Sequence, residues 1–219
     1  MKSSLFLLLA IPACAETLHY SINWPSGLSL GEATLSAVQA GDKNGPWDYA
    51  VEIDASVPGF PVRDKYKSTS TADFCSVILE KKFTHGKHKS EEKITFDQQA
   101  HKAARETQGG GKSEISVSSC ARDALTFIQF ARRELAQGRL APQQQIVFGA
   151  LYNVRIEYTG SQNIRLGEKK IDADRLLASI KGPSSDLTVE LFFSRDPARV
   201  PLMAKIPLSL GVFSVELQQ

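Results

Sequence analysis

Residues 119–138, SCARDALTFIQFARRELAQG, carry the only helical repeat in a chain that otherwise reads as strands and turns. A domain with many strands and one helix has few ways to hide both apolar faces, so the helix must be covered by the sheet. Ala121, Ala124, Leu125, Ile128, Ala131 and Leu135 recur at i, i+3, i+4 and i+7 spacing, and Phe127 widens the stripe. Arg122, Gln129, Arg132 and Arg133 fall mostly on the other face, with Phe130 off the main stripe. Ser118 or Ser119 is the expected N-cap, and Asp123 suits the positive end of the helix dipole. Gly138 is a natural stop, and Pro142 prevents resumption. Leu125 and Ile128 sit at the centre of the stripe and are expected to anchor the helix on a concave sheet, with Arg132 facing outward.

The strands announce themselves by period two. Leu18, Tyr20, Ile22 and Trp24 alternate with polar residues until Pro25-Ser26-Gly27 turns the chain. Trp47, Tyr49, Val51, Ile53, Ala55 and Val57 form the cleanest alternation, one face buried and one wet. Further strands are expected over residues 28–38, 60–71, 74–83, 89–96 and 100–106, with Gly109-Gly110-Gly111 as a flexible tip before the helix. A second series follows over residues 145–148, 152–158, 164–168, 171–180, 187–193, 200–208 and 212–217, with a turn at Thr159-Gly160-Ser161. Strands joined by short turns imply a mainly β, antiparallel sheet. Such a sheet, curled into a half-barrel or β-spiral and wrapped around one α-helix, is the expected fold.

The 219 residues suffice for one domain, and the formal charge of +2 gives no steering toward nucleic acid. Residues 1–15 read as a secretory signal peptide: Lys2, the short apolar run LFLLLAI, then Ala13-Cys14-Ala15 with cleavage expected before Glu16. The rival is a lipoprotein signal acylated at Cys14, which Ile11 and Pro12 fit poorly. Residues 16–219 then form a single domain without a transmembrane helix. The expected address is the periplasm or the exterior. Removing the signal leaves Cys75 and Cys120, and an exported pair is expected to form a disulfide worth about 4 kcal/mol by chain entropy.

Catalytic and metal motifs are missing. Gly109-Gly110-Gly111-Lys112-Ser113 lacks the first glycine of a phosphate loop, since Glu106 stands there, and no helix opens at the lysine. His85 and His88 lie in a lysine-rich turn without further zinc ligands. Asp172 and Asp174 share a strand face, where solvation is their simplest fate, and Lys81-Lys82 with Lys87-His88-Lys89 reads as a solvated sheet edge. No metal site and no cofactor is expected. What remains is shape: an apolar groove beside the helix, bounded by Leu125, Phe127, Ile128 or Phe130 and one strand face, would suit an acyl chain or a hydrophobic peptide.

The run Cys120-Ala121-Arg122-Asp123-Ala124-Leu125-Thr126-Phe127, Arg132-Arg133, Phe96-Asp97 and the closing Ser194-Arg195-Asp196-Pro197-Ala198-Arg199-Val200-Pro201 with Leu210-Gly211-Val212 resemble the exported bacterial domain-of-unknown-function 3108 family. The resemblance implies an envelope location and, by analogy of fold, the curled sheets of periplasmic lipoprotein carriers and β-spiral envelope proteins. It supplies no activity and no catalytic residues. Within those motifs Asp196-Pro197 suits a tight turn, Arg199 could pair with Asp196 or Asp123, and Gly211 permits a bend. The expected function is a non-enzymatic envelope protein that binds a lipid or an envelope partner. The alternatives are a structural or interaction module with a filled core and an unrecognised hydrolase.

Overall fold

The computed structural model describes residues 15–41, 44–57 and 60–218. The signal peptide over residues 1–14, including Cys14, lies outside the described residues. The first half of the chain is a meander of β1 (Ala15–Asn23), β2 (Ser29–Gln39), β3 (Trp47–Val57), β4 (Phe60–Ser70), β5 (Ser76–His85), β6 (His88–Asp97), β7 (Lys102–Thr107) and β8 (Lys112–Ser116). A short β9 (Arg122–Asp123) leads into α1 (Ala124–Ala136), and the chain returns through β10 (Gln144–Val147). A second meander follows: β11 (Leu151–Leu166), β12 (Lys169–Gly182), β13 (Ser185–Ser194), β14 (Pro201–Leu208) and β15 (Gly211–Leu217).

The described strands make one open sheet in the order β8-β7-β6-β5-β4-β3-β2-β1-β15-β14-β13-β12-β11-β10-β9. Its first and last strands, β1 and β15, pair at the centre, as Tyr20 opposite Leu217 and Asn23 opposite Ser214. The two outer edges, β8 and β9, are therefore joined only by residues 117–121. That link spans at most about 20 Å, whereas a flat sheet of this many strands would extend roughly 65 Å at 4.7–4.9 Å per strand. Chain connectivity thus forces the sheet to curl back on itself. Pairing is antiparallel throughout except that β9 and β10 run parallel, with α1 as the crossover between them.

The concave face follows the alternation. Ala37 of β2, Tyr49 of β3, Leu79 of β5, Ile94 of β6 and Ala103 of β7 are buried in one core with Leu125, Phe127, Phe130, Ala131 and Leu135 of α1. A smaller cluster of Ile164, Leu166, Ala173, Phe192, Leu202 and Met203 holds the far ends of β11 to β14. One expected turn is absent. Thr159-Gly160-Ser161 lies inside the continuous β11, where the register against β12 shifts between Tyr158 and Gly160. A glycine inside a strand can mark a bulge as well as a turn.

The helix begins later than residue 119 and is capped differently. Cys120 adopts a left-handed backbone, with φ of 52°, and Arg122 and Asp123 are extended in β9. Asp123, rather than Ser118 or Ser119, is the N-cap and accepts hydrogen bonds from the Leu125 and Thr126 amides. At the other end Gly138, with φ of 72°, ends the helix as expected. Leu125 is buried in the core, but Ile128 is 36% exposed and does not anchor it.

The supposed outer face of α1 is also covered. Arg132 and Gln129 are buried. The Arg132 guanidinium donates to both Glu16 oxygens at 2.6 and 3.0 Å, and to the carbonyls of Ala198 and Arg199 at 3.0 and 3.1 Å. It ties the helix to the start of β1 and to the turn between β13 and β14. A polar helix face predicts solvent only when one side of the helix is packed. Here the sheet curls around more than one side, so polar groups of that face are buried, and Arg132 finds its partners on β1 and the β13–β14 turn.

Candidate functional site

Between α1 and β10 to β13 lies a cavity of about 270 Å³ with wholly apolar walls. Phe127, Ile128 and Ala131 form one wall from the helix. Ile146 and Phe148 close one side, and Val154, Ile156, Ala178, Ile180, Val189, Leu191 and Phe193 form the floor from alternate positions on β11, β12 and β13. Of the four helix residues expected to bound a groove, Phe127 and Ile128 line this cavity. Leu125 and Phe130, expected beside them, lie elsewhere. Leu125 sits in the main core, and Phe130 is buried under the Arg122 guanidinium, 3.8 Å from its ring centroid. The floor residues were each legible as the apolar side of a strand, but not their convergence on the helix.

Two contacts hold the curl closed around this cavity. The first is built on Asp123, which is fully buried. Beyond its two cap bonds, its Oδ2 accepts from the hydroxyls of Ser68 on β4, Ser76 on β5 and Thr126 on α1, at 2.5, 2.5 and 3.0 Å. Beside it, Gln98 spans the gap between the sheet's two limbs: its amide donates to the carbonyls of Ser76 and Ala121, and its oxygen accepts from the Ala121 amide. The Cys75–Cys120 disulfide seals the same seam.

The second closing contact is on the cavity wall. Lys81 of β5, expected in a solvated edge, is buried. Its ammonium donates to Glu92 at 3.1 Å and to the Phe148 carbonyl at 3.4 Å, and lies 4.3 Å from the Phe148 ring centroid. The Tyr66 ring lies tilted against the same ring, with centroids 5.4 Å apart. Gly149 has φ of 88°, and a Cβ there would meet the Lys81 Nζ at 2.9 Å and Glu92 Oε1 at 3.0 Å, so glycine lets the β10–β11 turn reach this ion pair. Arg105 adds a second cation to Glu92, with Nε at 2.7 Å. Burial pushes the Glu92 carboxyl upward, but the hydrogen bonds and charges of Arg105 and Lys81 outweigh it and hold it below the usual carboxylate range.

Because the folded carboxyl binds its proton less readily than the unfolded one, it stabilises the fold above the ordinary glutamate range. That contribution is lost as pH falls through the range and below. Thermal melts of Glu92→Gln should therefore show a shallower acid-side loss of stability than the parent. An unchanged pH profile would remove Glu92 from the account of acid lability.

Asp64 and His85 are also paired. Asp64 is buried and accepts from the Tyr66 hydroxyl at 2.8 Å, while His85 Nε2 lies 3.0 Å from its other oxygen. Burial and the adjacent Asp64 raise the Tyr66 phenol above its usual range. His85 is therefore partnered, though its side chain still reaches solvent. No serine, threonine or cysteine is hydrogen-bonded to it among the described residues, so the pair lacks a nucleophile. Asp172 and Asp174 are likewise paired. Arg195 lies 2.6 Å from Asp172, and Arg199 lies 2.5 Å from Asp174. Arg199 thus finds neither Asp196 nor Asp123 as its partner. Asp196 instead shapes the turn, accepting from the Ala198 amide through its side chain and from the Arg199 amide through its carbonyl. Gly211, with φ of 126°, opens β15 where a Cβ would sit 2.6 Å from Pro25. No helix among the described residues is long and apolar enough to cross a membrane.

This architecture, one long sheet curled around a helix without strand-to-strand closure, defines an open barrel-like β protein. The chain belongs to the family described as Protein of unknown function (DUF3108), whose model matches residues 18–218. Its fold is similar to the crystal structure of a beta-barrel-like protein of domain of unknown function DUF1849 from Brucella abortus. The TM-score is 0.68 at 7% identity, covering 93% of this chain and 95% of that one. No curated protein matches the sequence.

Proposed function

We propose that this protein binds a single acyl chain, or an apolar ligand of that size, in the groove between α1 and β10 to β13, and does so in the cell envelope without catalysis. The observation that carries the reading is the wholly apolar cavity of about 270 Å³ at a place where helix and sheet do not meet. Ligand pockets are typically about 300–1,000 Å³, so this one suits one chain rather than a two-chain lipid. The envelope address draws on the signal-like residues 1–15 and on the Cys75–Cys120 bridge, which needs an oxidising compartment.

Native mass spectrometry of protein purified from its own cell, followed by organic extraction, should reveal a co-purifying apolar compound. Ile128→Trp would fill the mouth of the groove from a half-exposed position. It should weaken binding of a long-chain fatty acid at least about tenfold, or 1.4 kcal/mol, while leaving the urea midpoint near that of the parent. A parent protein that binds no acyl chain in titration calorimetry would turn the reading toward a structural module.

A further inference from the structure

The strand directions place a row of hairpin tips along one rim of the sheet. Adjacent in that row are the β14–β15 turn, the β1–β2 turn and the β3–β4 connection, because their strands follow one another in the order β4-β3-β2-β1-β15-β14. Leu208, Leu210 and Val212 project from the first, Leu28 from the second, and Phe60 opens β4 beside the third. All five are between 45% and 64% exposed. The first two tips pack together at their base, where Trp24 meets Phe213 edge-on at 4.9 Å and Pro25 abuts Gly211.

These tips are also stripped of charge. In a chain of which 23% is Asp, Glu, Lys or Arg, residues 20–31, 55–62 and 206–215 contain none, nor any histidine. Scattered surface leucines need no explanation, but a clustered, charge-free, apolar rim does. The next tip along the row differs. The β5–β6 turn carries exposed Lys87, His88 and Lys89, and its Gly86 lies against the Phe60 ring. Neither Lys87 nor Lys89 has an acidic partner among the described residues.

We infer that this rim docks on a lipid bilayer surface, with the apolar side chains of the β14–β15 and β1–β2 tips and Phe60 of β4 entering the headgroup boundary and the β5–β6 tip engaging anionic headgroups. Narrow, separate tips suit penetration between lipids, and unpaired lysines at the flank complement anionic lipid. Trp24 at the base of the apolar tips suits the interfacial layer, where an amphipathic ring has one apolar side and one wet side. This site is distinct from the groove and stands without it.

The test is flotation of the full mature chain with vesicles of phosphatidylethanolamine and phosphatidylglycerol, and with phosphatidylcholine vesicles. The parent should float with the anionic vesicles, less so in high salt, and more weakly with phosphatidylcholine. Leu210→Glu should reduce flotation at least about tenfold on both, since it removes one buried aliphatic group and adds a charge. Lys87→Glu should reduce it on anionic vesicles alone. Both positions are exposed, so unchanged melting checks that the fold survives. A parent that floats with neither vesicle, or a Leu210→Glu variant that floats as well as the parent, overturns the proposal. So does a self-association that Leu210→Glu abolishes while no vesicle binding is seen, which would make the rim a protein interface.

Discussion

Asp123→Ala should be among the most damaging single substitutions in this chain, lowering stability by about 4 kcal/mol in urea melts. Losing an N-cap alone costs about 0.5–2 kcal/mol. Here the same carboxylate also satisfies the hydroxyls of Ser68, Ser76 and Thr126, which are all buried. Each buried donor left without an acceptor costs about 1–3 kcal/mol, and bonds to a charged group are the stronger kind. Rotation of the hydroxyls toward one another recovers part of this, as Ser68 and Thr126 are already 3.0 Å apart. Asp123→Asn should cost less, because one oxygen still caps the helix while the new NH2 meets hydroxyls that can turn to accept. Ser119→Ala, at the position sequence spacing favours as the cap, should change stability by no more than about 0.5 kcal/mol. Equal losses for Asp123→Ala and Ser119→Ala would reject Asp123 as the joint between helix and sheet.

That contrast shows where sequence reading succeeds in this fold. The strands were legible because one face meets the core and the other meets water, so alternation survives in residues such as Trp47 to Val57. The helix stripe was legible for the same reason, and its Phe127 and Ile128 line the apolar cavity. What could not be read is anything that depends on the curl. Arg132 meets Glu16 across 116 positions, and Asp123 meets Ser68 across 55. Nothing in the local pattern marks a polar residue as buried when its partner arrives from the opposite limb of the sheet. Lys81 looked like an edge cation until the β10–β11 turn folded over it. The helix starts later than the spacing suggests because residues 120–123 have helical composition, but the disulfide-bonded Cys120 turns left-handed and Arg122 and Asp123 are held extended in β9.

The disulfide itself carries the second large prediction. Cys75 follows β4 and Cys120 precedes β9, so the bond joins a turn of the first meander to the link between the sheet's two edges. With 45 positions between the cysteines, the chain-entropy model assigns the bridge about 4 kcal/mol. Backbone pairing at the seam is sparse. The Ser76 amide donates to the Ala121 carbonyl at 2.9 Å, and side chains, those of Gln98, Asp123, Ser68 and Ser76, supply further bonds between the limbs. A barrel closed by a full strand ladder would tolerate loss of one crosslink better than a sheet closed by a few side chains. Cys75→Ser combined with Cys120→Ser should therefore lower the urea midpoint by the equivalent of about 4 kcal/mol. Folded protein should keep its strand content, since each meander pairs within itself. Reducing agent added to the parent should reproduce the shift, and Cys75→Ser alone should leave one thiol reactive toward a thiol reagent. If oxidised and reduced parent melted within about 1 kcal/mol of each other, closure would rest on Asp123 and Gln98 instead. In that case Asp123→Ala should open the seam even with the disulfide intact.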